Sequence, residues 1–297
     1  MTDAAPANPI GLCVIDKPAT WTSHDVVARC RKLLGTRKVG HSGTLDPMAT
    51  GVLVLGVGAA TRLTTYLTGL DKVYRARIRF GTETDSLDAD GTVTARHEMT
   101  VEHDAVVAAA ARLTGEIDQV PPMVSAIKID GRRLHELARE GVEVERPARR
   151  VRVDRFELQP TDDPLVWDAE VACSSGTYVR VLAADLGHLL GGGAHLVALR
   201  RSSVGPFTLD DAVPLDAVEP GTLLPAATID RVLASCAVDE SVAVDVGHGK
   251  VMDRARLGVP AGAAGPWAVL DGQGELLAIY VAHHGTTVKP GMVLARG

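Results

Sequence analysis

The segment Gly40–Gly51 constrains the fold of this chain most strongly, because it places a single carboxylate between glycines and leads directly into an apolar stretch. Glycine accepts backbone angles that other residues resist, so this segment can turn tightly and approach a ligand closely. The run Val52–Leu55 is bounded by glycines and contains two β-branched residues, which is typical of a buried strand. The pattern predicts a loop that presents Asp46 at the mouth of a short turn or helix, with a rigid strand behind it.

Asp46 has two interpretations that the local spacing does not separate. Asp is among the best helix N-caps and Pro often follows a cap, so Asp46 and Pro47 can begin a helix. The same carboxylate, held on a rigid scaffold near His41, can instead act as a nucleophile or a base.

Length and composition indicate one large domain plus a small one in a chain of 297 residues. No apolar run approaches the length of a membrane span, and the N-terminus lacks the basic and apolar regions of a secretory signal. The four cysteines are widely spaced and form no Cys-x-x-Cys pair. We therefore expect no membrane association, no metal site, no disulfide framework and a cytoplasmic location.

The net charge of −6 conceals an uneven distribution. Five basic residues and no acid lie between Arg29 and Lys38, and nine basic and six acidic residues lie between Lys128 and Arg155. A basic face on an acidic body still attracts phosphates locally. Charge runs are usually solvated surface, so this distribution alone does not establish RNA binding.

Two further motifs resemble ligand sites but lack a required part. The acidic segment Thr82–Gly91 lacks the twelve-residue ligand loop of a calcium site, and we interpret it as a structural loop. Gly56 and Gly58 follow a strand like half of a dinucleotide fingerprint, but the third glycine is missing. A nucleotide-dependent oxidoreductase is therefore a weak alternative, which a nicotinamide-binding titration would test.

The periodicity of the chain predicts a mixed α/β architecture. Strands are predicted at Ile10–Lys17, Val52–Leu55, Lys72–Phe80, Val151–Leu158, Val166–Cys173 and Ala194–Leu199, with helices at Thr22–Leu34, Thr61–Leu67, Val101–Leu113 and Thr177–Leu190. From about Val238 the pattern predicts short strands separated by glycine turns, at Val242–Val244, Trp267–Leu270, Leu276–Tyr280 and Lys289–Leu294.

Gly40–Gly51 resembles the catalytic motif of the TruB family of tRNA pseudouridine-55 synthases, and the resemblance extends over roughly residues 10–205. The other matching positions are Ile10–Ile15, Lys17, Pro18, Thr22, Ser23, Tyr74, Ser174–Arg180 and Leu199–Arg201. Ala19 stands where the family usually has glycine, a small departure within a turn. Several separate motifs in the right order are far more specific than any one of them.

The resemblance implies the α+β fold of pseudouridine synthases, with a central, largely antiparallel sheet and flanking helices. It implies a catalytic domain over residues 1–235, with an RNA-clamping thumb at about 120–150, and a PUA-like RNA-binding domain over residues 236–297. It further implies an enzyme without a cofactor or metal that acts on the T-arm stem-loop of tRNA. We expect a monomer.

The resemblance also implies roles for individual residues, each of which has a structural alternative. Asp46 is the nucleophile, Tyr74 stacks on the target uracil and can act as the base, and Arg180 pairs with Asp46; taken alone, Tyr74 reads as an ordinary strand residue and Arg180 as a surface helix residue. The residues expected to contact RNA are His41, Tyr178, Leu199, Lys128, Arg132, Arg133, Arg149 and Arg150, and those expected to be structural near the site are Lys17, Pro18 and Gly43.

The predicted reaction converts uridine 55 in the T loop of tRNA to pseudouridine on a flipped-out nucleotide. The alternative is a tRNA-folding chaperone with little catalytic role. The presence of Asp46, Tyr74 and Arg180 argues against a loss of activity.

Overall fold

A computed structural model of the chain describes residues 9–125, 128–129, 132–133, 140, 142, 144–259 and 262–294. The α-helices are α1 Ser23–Leu33, α2 Thr64–Thr68, α3 His103–Arg112, α4 Val179–Leu189 and α5 Glu240–Gly247. Short 3-10 helices occupy Gly58–Leu63, Leu209–Asp211, Leu215–Ala217, Pro220–Thr222 and Ala226–Arg231.

The first twelve strands are β1 Gly11–Lys17, β2 Val39–His41, β3 Thr50–Val57, β4 Lys72–Phe80, β5 Thr82–Thr84, β6 Val93–Arg96, β7 Gly115–Gln119, β8 Lys128–Ile129, β9 Arg132–Arg133, β10 Arg149–Pro160, β11 Val166–Cys173 and β12 Ala194–Val204. They are followed by β13 Phe207–Thr208, β14 Val213–Pro214, β15 Ala234–Ala237, β16 Met252–Asp253, β17 Trp267–Leu270, β18 Leu276–Ala282 and β19 Thr287–Val293. The chain divides into two compact units: unit 1 comprises residues 1–46, 52–68 and 205–297, and unit 2 comprises residues 47–51 and 69–204.

Unit 1 contains α1 beside the strands β14, β1 and β3, which are neighbours in that order, and β2 pairs with β3. Thr22 caps α1, because its Oγ1 accepts a hydrogen bond from Asp25 N at 3.1 Å while Thr22 N donates to Asp25 Oδ2 at 3.0 Å. Val26, Val27 and Cys30 lie on the buried face of this helix. The predicted helix is therefore confirmed, and it packs in the core that supports β1 and β3.

The C-terminal part of unit 1 is a sheet of order β15-β17-β18-β19-β16 accompanied by α5. The predicted strand at Val242–Val244 is wrong, because these residues lie inside α5. Asp239 caps this helix by accepting a hydrogen bond from Val242 N at 3.0 Å. Three alternating residues are too short a pattern to outweigh an N-cap followed by apolar residues at helical spacing.

Unit 2 is built on five antiparallel strands in the order β12-β4-β11-β10-β7, with α3 and α4 beside them. The predicted strand Lys72–Phe80 is confirmed with the same bounds, and its side chains alternate between buried and exposed. Thr50 and Gly51, at the start of β3, pair in parallel with Arg200 and Arg201 of β12. The predicted fold class, a mixed α+β chain with a largely antiparallel central sheet, is confirmed.

The predicted thumb, about 120–150, falls partly on residues outside those that the structure describes. Within the described part, β8 and β9 form a two-stranded antiparallel pair. The four cysteines are buried and free. No helix of the described residues has both the length and the apolar character needed to cross a membrane.

Candidate active site

Asp46 lies on the loop between β2 and β3. The strand β2 ends at His41, and the chain enters β3 at Thr50, four residues after Asp46. Among the described residues no helix begins at Asp46, so the N-cap interpretation is wrong. The loop therefore presents the carboxylate on irregular backbone between two strands.

Two buried serines anchor this loop to its surroundings in unit 1. Leu45 N donates to Ser23 Oγ at 2.8 Å and Ser23 Oγ donates to Leu45 O at 3.2 Å, which ties the residue before Asp46 to the first turn of α1. Ser42 N donates to Val54 O at 3.0 Å, which ties the start of the loop to β3. Half-buried Gly43 lies between these anchors. The backbone that leads to Asp46 is thus fixed at Ser42 and at Leu45.

Gly51 is the glycine of this motif whose conformation excludes a side chain. Its φ is +100°, and a Cβ atom there would stand 2.2 Å from Arg201 O. At Gly40, by contrast, no atom lies within 4 Å of the position that a Cβ would take. The close approach of two backbones at the start of β3 therefore requires glycine at position 51.

His41 and Lys17 lie in unit 1, on the strands β2 and β1. The half-buried ring of His41 meets His24 edge to face, with centroids 5.4 Å apart. Lys17 is fully buried, and its Nζ donates to Pro18 O at 2.9 Å and to the carbonyl of Trp21 at 2.6 Å. These two bonds close the turn after β1, and the structural role expected for Lys17 and Pro18 stays a prediction.

Tyr74 and Leu199 lie on one face of the unit 2 sheet, which we call the inner face. Tyr74 is 7% exposed and stands opposite Arg201 of β12 and Val171 of β11. Leu199 is 8% exposed and stands opposite Ala76. The sheet register therefore brings one predicted catalytic side chain and one predicted uracil contact to the same face.

Arg180 lies in the first turn of α4 and is 2% exposed. Its Nη1 donates to Ser86 O at 2.7 Å, its Nη2 donates to Val124 O at 2.8 Å, and its Nη1 lies 3.3 Å from Asp88 Oδ2. Three acceptors on a planar guanidinium fix its orientation. The predicted pairing of Arg180 with Asp46 remains a prediction.

Asp88 is a site residue that the sequence analysis missed. It is 4% exposed and also accepts hydrogen bonds from Ser86 Oγ at 2.5 Å and from Asp90 N at 3.2 Å. The segment Thr82–Gly91 is thus a structural loop, and it also supplies a buried counter-charge. Its sequence signal is the position of Asp88 between Leu87 and Ala89, the two apolar residues of an otherwise polar segment.

Lys72 is a second residue that sequence reasoning passed over. Burial and the nearby Arg201 lower its pKa from 10.5 to about 8, against smaller opposing effects of Cys173 and Asp71. Its Nζ donates to Leu70 O at 2.5 Å. The sequence does carry a signal for it: Lys72 lies two residues before Tyr74 in the same strand, so both side chains are on the same face of the sheet.

The remaining predicted RNA contacts fall into three groups. Tyr178 occupies the N-cap position of α4 and is half-buried, and its backbone N donates to Gln119 Oε1 at 2.9 Å. Arg149 is exposed, whereas Arg150 contacts Glu116 Oε2 at 3.1 Å and Asp118 Oδ2 at 3.3 Å, which neutralises part of the predicted clamp. The side chains of Lys128, Arg132 and Arg133 lie outside those that the structure describes.

Among the described residues, no group of three or more His, Cys, Asp or Glu side chains is arranged to hold a metal ion. Unit 1 holds a carboxylate on an anchored loop. Unit 2 holds a tyrosine, a leucine and an oriented guanidinium. Such groups can add to or stabilise an electron-poor carbon, stack on a base and move a proton.

Comparison with known proteins identifies the chain as part of a family. A family model described as TruB family pseudouridylate synthase, N-terminal domain, matches residues 31–179, and one described as tRNA pseudouridylate synthase B C-terminal domain matches residues 180–236. The tRNA pseudouridine synthase B of Corynebacterium aurimucosum is 48% identical over 94% of both chains, and that of Rhodococcus jostii is 50% identical over 91% of this chain and 89% of its own.

Among solved structures, a chain from the crystal structure of a Cbf5-Nop10-Gar1 complex matches with a TM-score of 0.73 and 26% identity, over 95% of this chain and 84% of that one. The two family models together cover residues 31–236, and the curated relatives and the solved structure cover more than nine tenths of this chain. The chain belongs to the TruB family of pseudouridylate synthases.

Proposed function

We propose that this protein converts uridine 55 in the T loop of tRNA to pseudouridine, with Asp46 as the nucleophile. The observation that carries the proposal is the anchored loop that presents Asp46 between β2 and β3, in a chain about half identical to proteins named tRNA pseudouridine synthase B. The substrate and its position within tRNA are extended from those relatives and from the motif resemblance.

The reaction is an isomerisation in which no group is gained or lost. The bond between uracil N1 and ribose C1′ breaks, the base turns, and C5 forms the new bond to C1′ while its proton leaves and N1 takes up a proton. Asp46 adds to the sugar or the base, or stabilises positive charge at C1′ as the base departs. Tyr74 removes a proton, either from C2′ or from C5.

Arg180 is proposed to pair with Asp46 and hold its carboxylate ionised. The three acceptors that orient its guanidinium support this role, because a side chain already fixed loses little entropy when it contacts a further group. Asp88 then acts as a positioning residue for Arg180.

The target nucleotide must leave the folded T loop, at a cost of a few kcal/mol. Tyr74 and Leu199, side by side on the inner face, provide an aromatic ring and an apolar side chain for the flipped uracil. His41 and Tyr178 are proposed as further contacts to this nucleotide, and the basic residues of the thumb as contacts to the stem phosphates.

The proposed domain division assigns residues 1–235 to catalysis and 236–297 to a PUA-like RNA-binding module. The end of the second family model at residue 236 and the sheet formed by β15 to β19 support this division. We further propose a cytoplasmic monomer, since a single chain carries every proposed catalytic residue and its four free cysteines agree with a reducing compartment.

Tritium release from a T-arm stem-loop RNA labelled at uracil C5 tests the proposal directly. Wild type should release tritium, whereas Asp46→Asn should release none and retain RNA affinity within about tenfold, because binding depends mainly on phosphate and stacking contacts. Release by both proteins would remove Asp46 from its role. Binding without release by wild type would favour the tRNA-folding chaperone.

A further inference from the structure

Four cations surround the turn that joins α1 to β2. Arg31 and Lys32 lie at the end of the helix, and Arg37 and Lys38 come directly before the strand. All four side chains are exposed, and no acidic residue occurs between positions 29 and 38. We call these four residues the basic turn.

The basic turn is a cluster of exposed cations without acidic partners among the described residues, in contrast to several arginines of unit 2. On the sheet of unit 2, exposed arginines form ion pairs with acids of neighbouring strands and loops; these pairs are Arg77–Asp168, Arg79–Asp163, Arg150–Glu116, Arg152–Asp71 and Arg155–Glu170. In the part of the chain that the structure describes, no carboxylate pairs with Lys32, Arg37 or Lys38. The basic turn therefore keeps its positive charge.

The backbone of the basic turn is held by hydrogen bonds. Arg31 Nη2 donates to Val39 O at 3.0 Å, and Thr36 N donates to Arg31 O at 3.2 Å. Gly58 N donates to Lys38 O at 2.7 Å. Because these bonds already order the turn, contact with a ligand would cost little additional loop entropy.

The basic turn is close to the loop that carries Asp46. Lys38 precedes His41 by three residues, and Val39–His41 is extended, so their Cα atoms are about 10 Å apart at the usual rise of a strand. Both residues belong to unit 1. A nucleic acid strand at His41 would thus bring one or two of its phosphates within reach of the basic turn.

We propose that the basic turn binds backbone phosphates of the substrate RNA next to the target nucleotide. The inference rests on the proposed function, since it takes the substrate to be RNA. Cations that are not already neutralised by protein carboxylates are the ones that displace counterions from RNA and so produce salt-dependent affinity. Contacts of this kind position the RNA and carry no sequence information.

The test compares two variants that remove the same net charge. In the first, the basic turn is neutralised by Lys32→Gln, Arg37→Gln and Lys38→Gln, with Arg31 kept because it holds the turn. In the control, three ion-paired arginines are neutralised by Arg77→Gln, Arg79→Gln and Arg155→Gln. Binding of a T-arm stem-loop RNA to the full chain is measured at several salt concentrations between about 50 and 300 mM.

In the basic-turn variant, the plot of log affinity against log salt concentration should be less steep by about two to three, since each phosphate contact contributes about one to the magnitude of its slope. Its affinity at low salt should fall at least about tenfold. In steady-state kinetics KM should rise while kcat stays close to the wild-type value. The control should change the slope by less than about one. Thermal unfolding should show no loss of stability for the basic-turn variant, because its removed cations repel one another and have no acidic partners.

An unchanged slope, or equal changes in both variants, would overturn the proposal and attribute RNA binding to other residues or to net charge. These outcomes are separate from a failure of the proposed function. Wild-type protein that binds RNA without tritium release would refute the isomerisation, while the difference in slope would still decide whether the basic turn binds phosphates.

Discussion

The two faces of the unit 2 sheet treat positive charge in opposite ways. On the opposite, exposed face, which we call the outer face, Arg77 contacts Asp168 through two hydrogen bonds of 2.7 and 2.9 Å, and both side chains are 51% exposed. On the inner face, Lys72 and Arg201 are buried beside Tyr74. Outer cations can exchange a carboxylate for water, whereas inner cations depend on fixed protein acceptors.

This difference predicts which substitutions of charged residues should destabilise the protein most. An exposed ion pair contributes between zero and about 1 kcal/mol, because water solvates either partner well. A buried cation must recover a desolvation cost of several kcal/mol through hydrogen bonds and counter-charges. Substitutions on the inner face and in α4 should therefore have large effects, and substitutions on the outer face small ones.

The largest effect is expected for Arg180→Met. This change leaves Asp88 buried without its counter-charge and two carbonyls without a donor, so the free energy of unfolding should fall by about 3–5 kcal/mol. Arg180→Lys keeps the charge but loses the planar guanidinium, so its free energy of unfolding should lie between those of wild type and Arg180→Met. Urea unfolding measures the difference, and adding Asp88→Asn to Arg180→Met should restore part of the loss. A loss below about 1 kcal/mol would show that the pair is solvated.

Lys72→Met should reveal the cost of a buried ammonium through its pH dependence. The pKa of Lys72 in the folded protein is about 8, below its ordinary value of 10.5, so the unfolded state binds more protons between these values. Wild-type stability should therefore rise relative to the variant as the pH increases from 8 to 10.5, by up to about 3 kcal/mol. At pH 7 the variant should be as stable as wild type or more stable. A pH-independent difference would show that Lys72 is solvated.

Much of the fold was predictable from the sequence because the relevant patterns are local. Lys72–Phe80 alternates with period two over nine residues, and Thr22 and Asp25 carry a complete capping box. The strand predicted at Val242–Val244 is wrong because a local signal was overlooked: Asp239 caps a helix that contains these residues. Long patterns and caps were reliable, and three-residue patterns were not.

Site residues within a sequence motif were predictable. Those that are defined by tertiary contacts were missed. The motif indicated Asp46, but only the structure excluded a helix after it. The Asp88–Arg180 contact joins residues 92 positions apart, and no periodicity connects an acidic loop to a helix start. Likewise, the acids that neutralise Arg150 lie on β7, which pairs with β10 only in the folded chain.

Glu83→Gln tests a position of intermediate exposure, where the Glu83 carboxylate accepts hydrogen bonds from Nε2 of His97 at 2.6 Å and of His188 at 3.3 Å. Burial raises the pKa of Glu83, but the hydrogen bonds to the two histidines lower it by more. The net pKa therefore lies below the ordinary value of 4.5. The stability from this interaction is present above the unfolded value and lost as the pH falls through the folded one. The variant should lose about 1 kcal/mol at pH 7. Thermal unfolding at pH 7 and pH 3 should show the difference shrinking at the lower pH; an equal loss at both would remove the charge from the explanation.

The smallest effect is expected for Arg77 and Asp168 on the outer face. The Arg77 guanidinium lowers the pKa of Asp168 through a hydrogen bond, yet both groups are half exposed, so water competes for each. A double-mutant cycle of Arg77→Ala and Asp168→Ala should give a small coupling energy that decreases further in high salt. The same cycle on Arg180 and Asp88 provides the matched buried pair and should give a coupling several times larger. Equal couplings would mean that exposure does not set the coupling energy of an ion pair in this protein, and the contrast between buried and exposed charges would fail.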